Sequence, residues 1–270
     1  MIKLDLPTDR YIARWVARNS FRIDRGTRAS LVHYRARQRF VGRGERLGLT
    51  YRGRIGDYMP LLSAVRRQAT FRRNRVSPKR RVLLVIDLRH ADDDASLQRL
   101  LSSAVLVSAL VLGIPDATLS VTAAGVQQPV YPAPYAGIDN LSLVRRSVAA
   151  LGDVPHDPGV SASKFRFVCS ADEGAHLVLV SHYLQRTMVE RIPFAVGGTV
   201  FHIQPPSGFF GLRGAGMTGS ASLEPATVSG EVMQRRYQEA AEYFSSRLVR
   251  TFSVGARKST ISAMTEALGE

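Results

Sequence analysis

Arg81 to Asp94 reads RVLLVIDLRHADDD, and this stretch decides the fold. Five apolar residues in succession, Val82 to Ile86, follow a basic run and end at Asp87. That is the pattern of a central strand buried on both faces of a parallel sheet. A second apolar run, Leu100 to Gly113, comes after the three aspartates Asp92 to Asp94 and fits a helix covering the strand. Strand, polar loop and helix make one βα unit. Ligands of open α/β sheets bind beyond the carboxyl ends of the strands, so the loop from Asp87 to Asp94 is the first place to look for a site.

Downstream, the chain repeats the alternation. Ala117 to Ala124 (ATLSVTAA) has strand texture, and residues 129–134 read as a loop. Leu141, Val144, Val148 and Leu151 recur at helical spacing behind Asp139 or Asn140 as the cap. Residues 152–163 form a surface connection before a strand at Ala175 to Val180, which ends in Ser181 and His182. Another strand, Thr199 to Ile203, precedes a Gly/Ser/Pro-rich excursion over residues 205–225. A helix over 230–248, a strand over 249–254 and a helix over 258–268 close the chain. Strands alternating with helices predict an α/β fold with a doubly wound, mostly parallel, Rossmann-type sheet over residues 81–270.

Upstream, the texture differs. Residues 8–40 carry Ile12, Val16, Phe21, Leu31, Val32 and Phe40 among arginines, which predicts one or two amphipathic helices broken near Gly26. Residues 40–58 are spaced by glycines and favour turns and short strands. Residues 1–81 hold 22 Lys and Arg against 5 Asp and Glu, although the whole chain has a net charge of only +15. Residues 1–80 therefore read as a smaller basic amino-terminal α+β subdomain. Its cations are nearly all arginine, which pairs bidentately with carboxylates and phosphates. Three readings stay open: a solvated surface, a face for an acidic protein partner, or a nucleic-acid surface in which Arg66, Arg67, Arg72 and Arg73 make phosphate contacts.

Within 270 residues, 45% of them hydrophobic, a sizeable core is expected. Ser102, Ser103 and Ser108 interrupt the most apolar stretch, so no segment reaches the roughly eighteen uninterrupted apolar residues of a membrane span. MIKLDLPTDR lacks the apolar core of a signal peptide, and a cytoplasmic protein without membrane insertion is expected. The single cysteine, Cys169, lies beside Phe167 and Val168 and reads as a buried structural thiol.

The chemistry-bearing patterns are sparse. Asp87 with Asp92 to Asp94 suggests a hard-metal site. Adjacent acids point in different directions, however, and a helix starting near Ala95 wants negative charge at its amino end, so capping is preferred. His90 and His182, at two strand tips, form with Asp87 a weak candidate for a metallohydrolase centre. Neither a G-x-S-x-G elbow, nor a P-loop, nor a G-x-G-x-x-G follows the central strand. A non-enzymatic protein without a cofactor is therefore expected.

Taken in order, the segments resemble the von Willebrand factor A-like proteins of the family called domain of unknown function 58. The glycine-rich segment from Phe40 to Tyr58 resembles one that ends in Gly-Asp-Asp, with Gly56 and Asp57 present and Tyr58 in place of the second acid. VLLVIDLRHA (Val82 to Ala91) resembles the strand that reaches the metal-binding Asp-x-Ser-x-Ser. LVLVSHYL (Leu177 to Leu184) resembles a later strand ending in Ser-Asp, VFHIQPPS (Val200 to Ser207) stands where Asp-Pro-Arg-Glu is common, and RRYQEAAEYF (Arg235 to Phe244) resembles the carboxy-terminal helix. The resemblance implies an interaction protein that partners a MoxR-type AAA+ ATPase.

At the metal-ion-dependent adhesion site of such proteins, serines and an aspartate hold Mg²⁺ while a partner's carboxylate completes the shell. Here Asp87 remains, Arg89 and Ala91 stand for the two serines, and His182 stands for the later acid. A guanidinium about 4 Å from a cation is repelled by about 4 kcal/mol per unit charge at an effective dielectric of about 20. The site therefore reads as degenerate and metal-free. Arg89 is expected to pair with Asp87, to accept a partner's acid, or to point to solvent. Arg89, His90, Asp139 and His182 are the candidate partner-binding residues.

Overall fold

The structure is a computed structural model that describes residues 2–20, 22–24, 80–91, 93–126, 134–157, 161–172, 174–184, 186, 190, 192, 197–206, 210–212, 226–228, 230–245 and 249–269. Helix α1 covers residues 9–20 and continues at 22–24. Then come β1 (Arg80–Asp87), α2 (Asp94–Leu112), β2 (Ala117–Ala124), β3 (Tyr135–Ala136), α3 (Leu141–Leu151) and α4 (Ala162–Cys169). The remainder is β4 (His176–Ser181), β5 (Gly198–Ile203), β6 (Phe210–Leu212), β7 (Ala226–Val228), α5 (Gly230–Ser245), β8 (Val249–Val254) and α6 (Thr260–Gly269).

Six strands form one sheet in the order β3-β2-β1-β4-β5-β8. Every neighbouring pair is parallel except β2–β3. The α/β, mostly parallel expectation therefore holds, with the apolar run of β1 at the centre of the sheet. Alternation along β1 feeds two apolar layers. Val82, Leu84 and Ile86 join the layer that contains α1, α2, α3 and α6. Leu83 and Val85 join the layer that contains α4 and α5. A strand covered on both faces has no solvent-facing side, which explains why it shows no polar alternation.

Helix α2 is almost wholly buried. The serines that break its apolar run are accommodated by bonding back one turn: Ser103 Oγ donates to Arg99 O at 2.9 Å and Ser108 Oγ to Ala104 O at 2.7 Å. Among the described residues α2 alone is long and apolar enough to cross a membrane, and 89% of that window is buried inside the protein. Its start follows the expected logic. Asp93 is the N-cap and accepts from Ser96 N at 2.6 Å, while Asp94 lies in the first turn.

Helix α1 belongs to this core. Ile12, Trp15, Val16 and Ile23 are buried in the α2 layer, and Trp15 Nε1 donates to Thr265 Oγ1 of α6 at 2.8 Å. A Cβ at Gly113 would collide with Val16 Cγ1, so the glycine lets α1 approach the end of α2. Asp24 pairs with Arg80 at the start of β1. Residues 25–79 lie outside the described residues. With them go the boundary expected at residue 80, the glycine-rich segment, and Arg66, Arg67, Arg72 and Arg73.

Some expectations change. Asn140 is the N-cap of α3 by position, but its side chain makes no capping bond and donates instead to Ala136 O at 2.6 Å. The connection read over 152–163 gives way to a helix, α4, which starts at Ala162 behind the cap of Ser161. Within the excursion over 205–225, β6 forms and pairs antiparallel with β7 just beyond it.

Trp15 is the sole tryptophan, so its emission reports on the packing of α1 against the core. Denaturant unfolding followed by tryptophan emission and by far-UV ellipticity should give coincident transitions. Ile12→Ala should shift both by about 2–5 kcal/mol. An earlier, separate emission transition would mean that α1 is not part of the cooperative core.

Candidate functional site

The strand order reverses between β1 and β4, and this switch point is where the open sheet offers a crevice at its carboxyl edge. Asp87, the last residue of β1, lies in register between Ala124 of β2 and Ser181 of β4. It is 1% exposed. Arg89, two residues on, folds back over it: Nε donates to Oδ1 at 2.7 Å and Nη2 to Oδ2 at 2.8 Å. The Arg89 backbone N–H adds a bond to Oδ1 at 3.3 Å. Ser181 Oγ lies 2.9 Å from Oδ2 and 2.8 Å from Tyr183 O. Its single proton can serve only one of them, and the charged carboxylate is the stronger acceptor.

Arg89 is itself only 6% exposed. Its guanidinium carbon lies 3.9 Å from the centroid of the Phe165 ring of α4, a close cation–π contact. Gly125, just past β2, makes room for this turn. It has φ +88°, and a Cβ there would stand 2.7 Å from both Arg89 N and Cγ. Burial works to raise the Asp87 pKa, but Arg89, His90 and Ser181 together outweigh it and hold the carboxyl below its ordinary range.

His182 leaves β4 toward the opposite layer. Its Nε2 lies 2.8 Å from Ser96 O in the first turn of α2, and its Nδ1 lies 2.6 Å from Ile203 O at the end of β5. Burial lowers its pKa, against the pull of the two carbonyls and of Asp87. A neutral ring has one N–H to share between them. Arg99 acts alongside it, with Nε donating to Gln204 O at 2.9 Å, Nη1 to Lys258 O at 3.1 Å, and Nη2 to Gly255 O. The ends of β5 and β8 are thereby tied to α2.

The structure brings Asp87, Arg89 and His182 to the same sheet edge. His90 is partly exposed there and meets the Tyr183 ring edge-on, with centroids 4.9 Å apart. Tyr183 also accepts a bond from Arg236 of α5. Ala91 is 9% exposed and packs with the core, its N–H donating to Leu88 O at 3.3 Å. Asp139 is elsewhere. Strand β3 runs antiparallel past Leu119 and Thr118, at the amino end of β2, so the turn carrying Asp139 lies at the opposite edge of the sheet. Gly125, Phe165, Tyr183 and Arg236 were not singled out from sequence. Only Gly125, directly behind a strand pattern, carried a local signal.

These residues do not fit a divalent cation. Both Asp87 oxygens face a guanidinium, Ala91 offers no side-chain ligand, and both His182 nitrogens face backbone carbonyls. Among the described residues no three His, Cys, Asp or Glu side chains gather as metal ligands do. Cys169 is buried, which pushes its thiol far above the ordinary range and removes its nucleophilicity. A cavity of about 1080 Å³ opens beside the amino end of α2, lined among others by Asp5, Tyr11, Arg99, Lys258 and Glu266. Two of its charged residues pair with each other, Lys258 Nζ to Glu266 Oε2 at 2.6 Å, and Arg99 is bound to backbone carbonyls. No family model, curated protein or solved structure matches this chain.

Removing one member of the buried pair strands the other. Asp87→Leu and Arg89→Met should each cost about 3–5 kcal/mol, and the double variant Asp87→Leu/Arg89→Met should cost much less than their sum. Additive losses in urea melts would mean the two side chains are not coupled.

Burial also lowers the pKa of His176 to about 4 and of His202 to about 3, from an ordinary 6.5. The unfolded chain therefore takes up protons first as the pH falls. The stability these neutral rings preserve above pH 6.5 should decline between pH 6.5 and about 3. His202 stacks on Tyr237 with centroids 4.4 Å apart, so His202→Phe keeps a ring there and should make the decline shallower. An unchanged profile for that variant would contradict the assignment.

Proposed function

We infer that this protein is a non-enzymatic interaction or scaffold subunit built on a von Willebrand factor A-like domain whose metal has been replaced by its own arginine. The carrying observation is the bidentate Arg89–Asp87 pair at the tip of β1, with both partners buried. A fixed guanidinium there supplies the positive charge that a divalent ion supplies in the adhesion sites the chain resembles. The contrast lies in what is left over: a bound ion keeps an open coordination position for a partner's carboxylate, whereas Arg89 spends its fork on Asp87. Recognition then falls to the surrounding loop surface, with His90 at its partly exposed edge.

Sheet order supports the von Willebrand factor A-like reading. A doubly wound sheet with a short antiparallel strand at the β2 edge, and an aspartate at the end of the central strand facing a serine at the end of the next, is the frame on which such a site is built. The catalytic alternative at Asp87, His90 and His182 is disfavoured because Asp87 and His182 are spent on internal partners. A MoxR-type AAA+ ATPase is the partner the resemblance implies.

Affinity purification of the tagged chain from its native host, at modest salt, should recover a MoxR-type ATPase identifiable by mass spectrometry. Recovery as a lone monomer would count against the scaffold role. Magnesium-dependent thermal stabilisation of the purified chain would overturn the reading of the site instead.

A further inference from the structure

Helix α1 has two faces that do different things. Ile12, Trp15, Val16 and Ile23 bury one face in the core. Arg10, Arg14 and Arg18 recur every fourth residue on the other, and all three are exposed. At a rise of about 1.5 Å per residue their α-carbons stand about 6 Å apart along the axis, within one sector of the helix. Tyr11, 52% exposed, lies in the same sector. Ala13 and Ala17, also exposed, leave its flank low.

This row is uncompensated. None of the three arginines makes an ion pair or hydrogen bond to any described residue, because the acids of α1 are engaged elsewhere. Asp9 pairs with Arg145 of α3, and Asp24 with Arg80 of β1. Asp5, which precedes the helix, lines the cavity beside α2. Three desolvation-tolerant, fork-shaped cations have therefore been kept apart from the acids within reach. Structural arginines of this protein behave otherwise: Arg89, Arg99 and Arg80 are each bound to internal acceptors.

We propose that Arg10, Arg14 and Arg18 form a docking strip for the phosphate backbone of a nucleic acid, with Tyr11 as a stacking surface beside it. A repeating row of guanidiniums suits a polymer that offers a phosphate at every unit. An exposed tyrosine adds sequence-tolerant stacking on a base. An acidic protein face could meet the same residues, since arginine and tyrosine also anchor protein interfaces, but the regular four-residue repeat without an apolar cluster favours a polymer of evenly spaced phosphates. Long-range attraction points the same way, because residues 1–81 hold 22 cationic against 5 acidic side chains. The strip lies outside the Asp87–Arg89 crevice, and its failure would leave that assignment untouched.

The test is fluorescence anisotropy of the full chain with labelled mixed-sequence oligonucleotides, single-stranded and duplex, across about 50 to 300 mM salt. The wild type should bind with a log-linear salt dependence, equally well for unrelated sequences. Arg10→Ala/Arg14→Ala/Arg18→Ala should weaken binding at least tenfold at the lower salt and reduce the salt slope by about 3 on duplex, near one unit per lost phosphate contact. The triple lysine variant should keep most of the slope. Unchanged Trp15 emission and melting would show that the alanine variant is folded, as exposed substitutions permit. Two results would overturn the proposal. One is affinity and slope unaffected by the alanine variant. The other is weak nucleic-acid binding together with strong, arginine-dependent binding of a poly-glutamate peptide, which would assign the strip to an acidic protein.

Discussion

A strand buried on both faces that ends in a carboxylate must neutralise that charge within a few ångströms. In this protein Arg89 does so, and much of the sheet's carboxyl edge is arranged around the result. Bringing a guanidinium back onto Asp87 requires a tight turn, which requires Gly125 at φ +88° on the neighbouring connection and the Phe165 ring beneath the cation. Each of these depends on the pair. Once desolvated, either charge alone would be worth several kcal/mol of instability, so the geometry is held by the penalty for breaking it more than by the gain from making it.

The same logic extends along the edge. His182 and Arg99 direct their polar atoms at backbone carbonyls that close β5 and β8 and open α2. Carbonyls at strand ends have no ladder partner, and buried ones need a donor. Side chains that would line an open ligand crevice are here consumed in satisfying the backbone. The edge is consequently paired internally, side chain to backbone and charge to charge.

Charge is distributed by a different rule. In the sheet domain, buried cations are matched one by one, whereas the outer face of α1 is left unmatched although acids lie within the same helix. Helix α1 is anchored by its apolar stripe, so its outer face is free to vary without loss of stability. That independence allows one helix to be part of the core and to present a row of cations.

Periodicity made most of the fold legible in the sequence. The β1 run, the strands ending at Ala124 and Ser181, the helix over 141–151 and the capping role of the acids before α2 all follow from local apolar spacing and from helix-end electrostatics. The identity of Asp87, Arg89 and His182 as strand-tip residues followed as well, because a strand's end is a local property. Their roles did not follow. Whether Arg89 turned inward, outward or toward a partner depended on Gly125 and Phe165, which are distant in the chain, and Asp139 proved to lie at the far edge because β3 runs antiparallel. The short strand β3 and helix α4 were illegible for the same reason, since they span only two and eight residues and make sense only against the sheet beside them. Local hydrophobic pattern thus determined which segments are strands and helices, while the partners of the buried charges were decided by tertiary packing, because desolvation acts on neighbours in space and has no memory of their order along the chain.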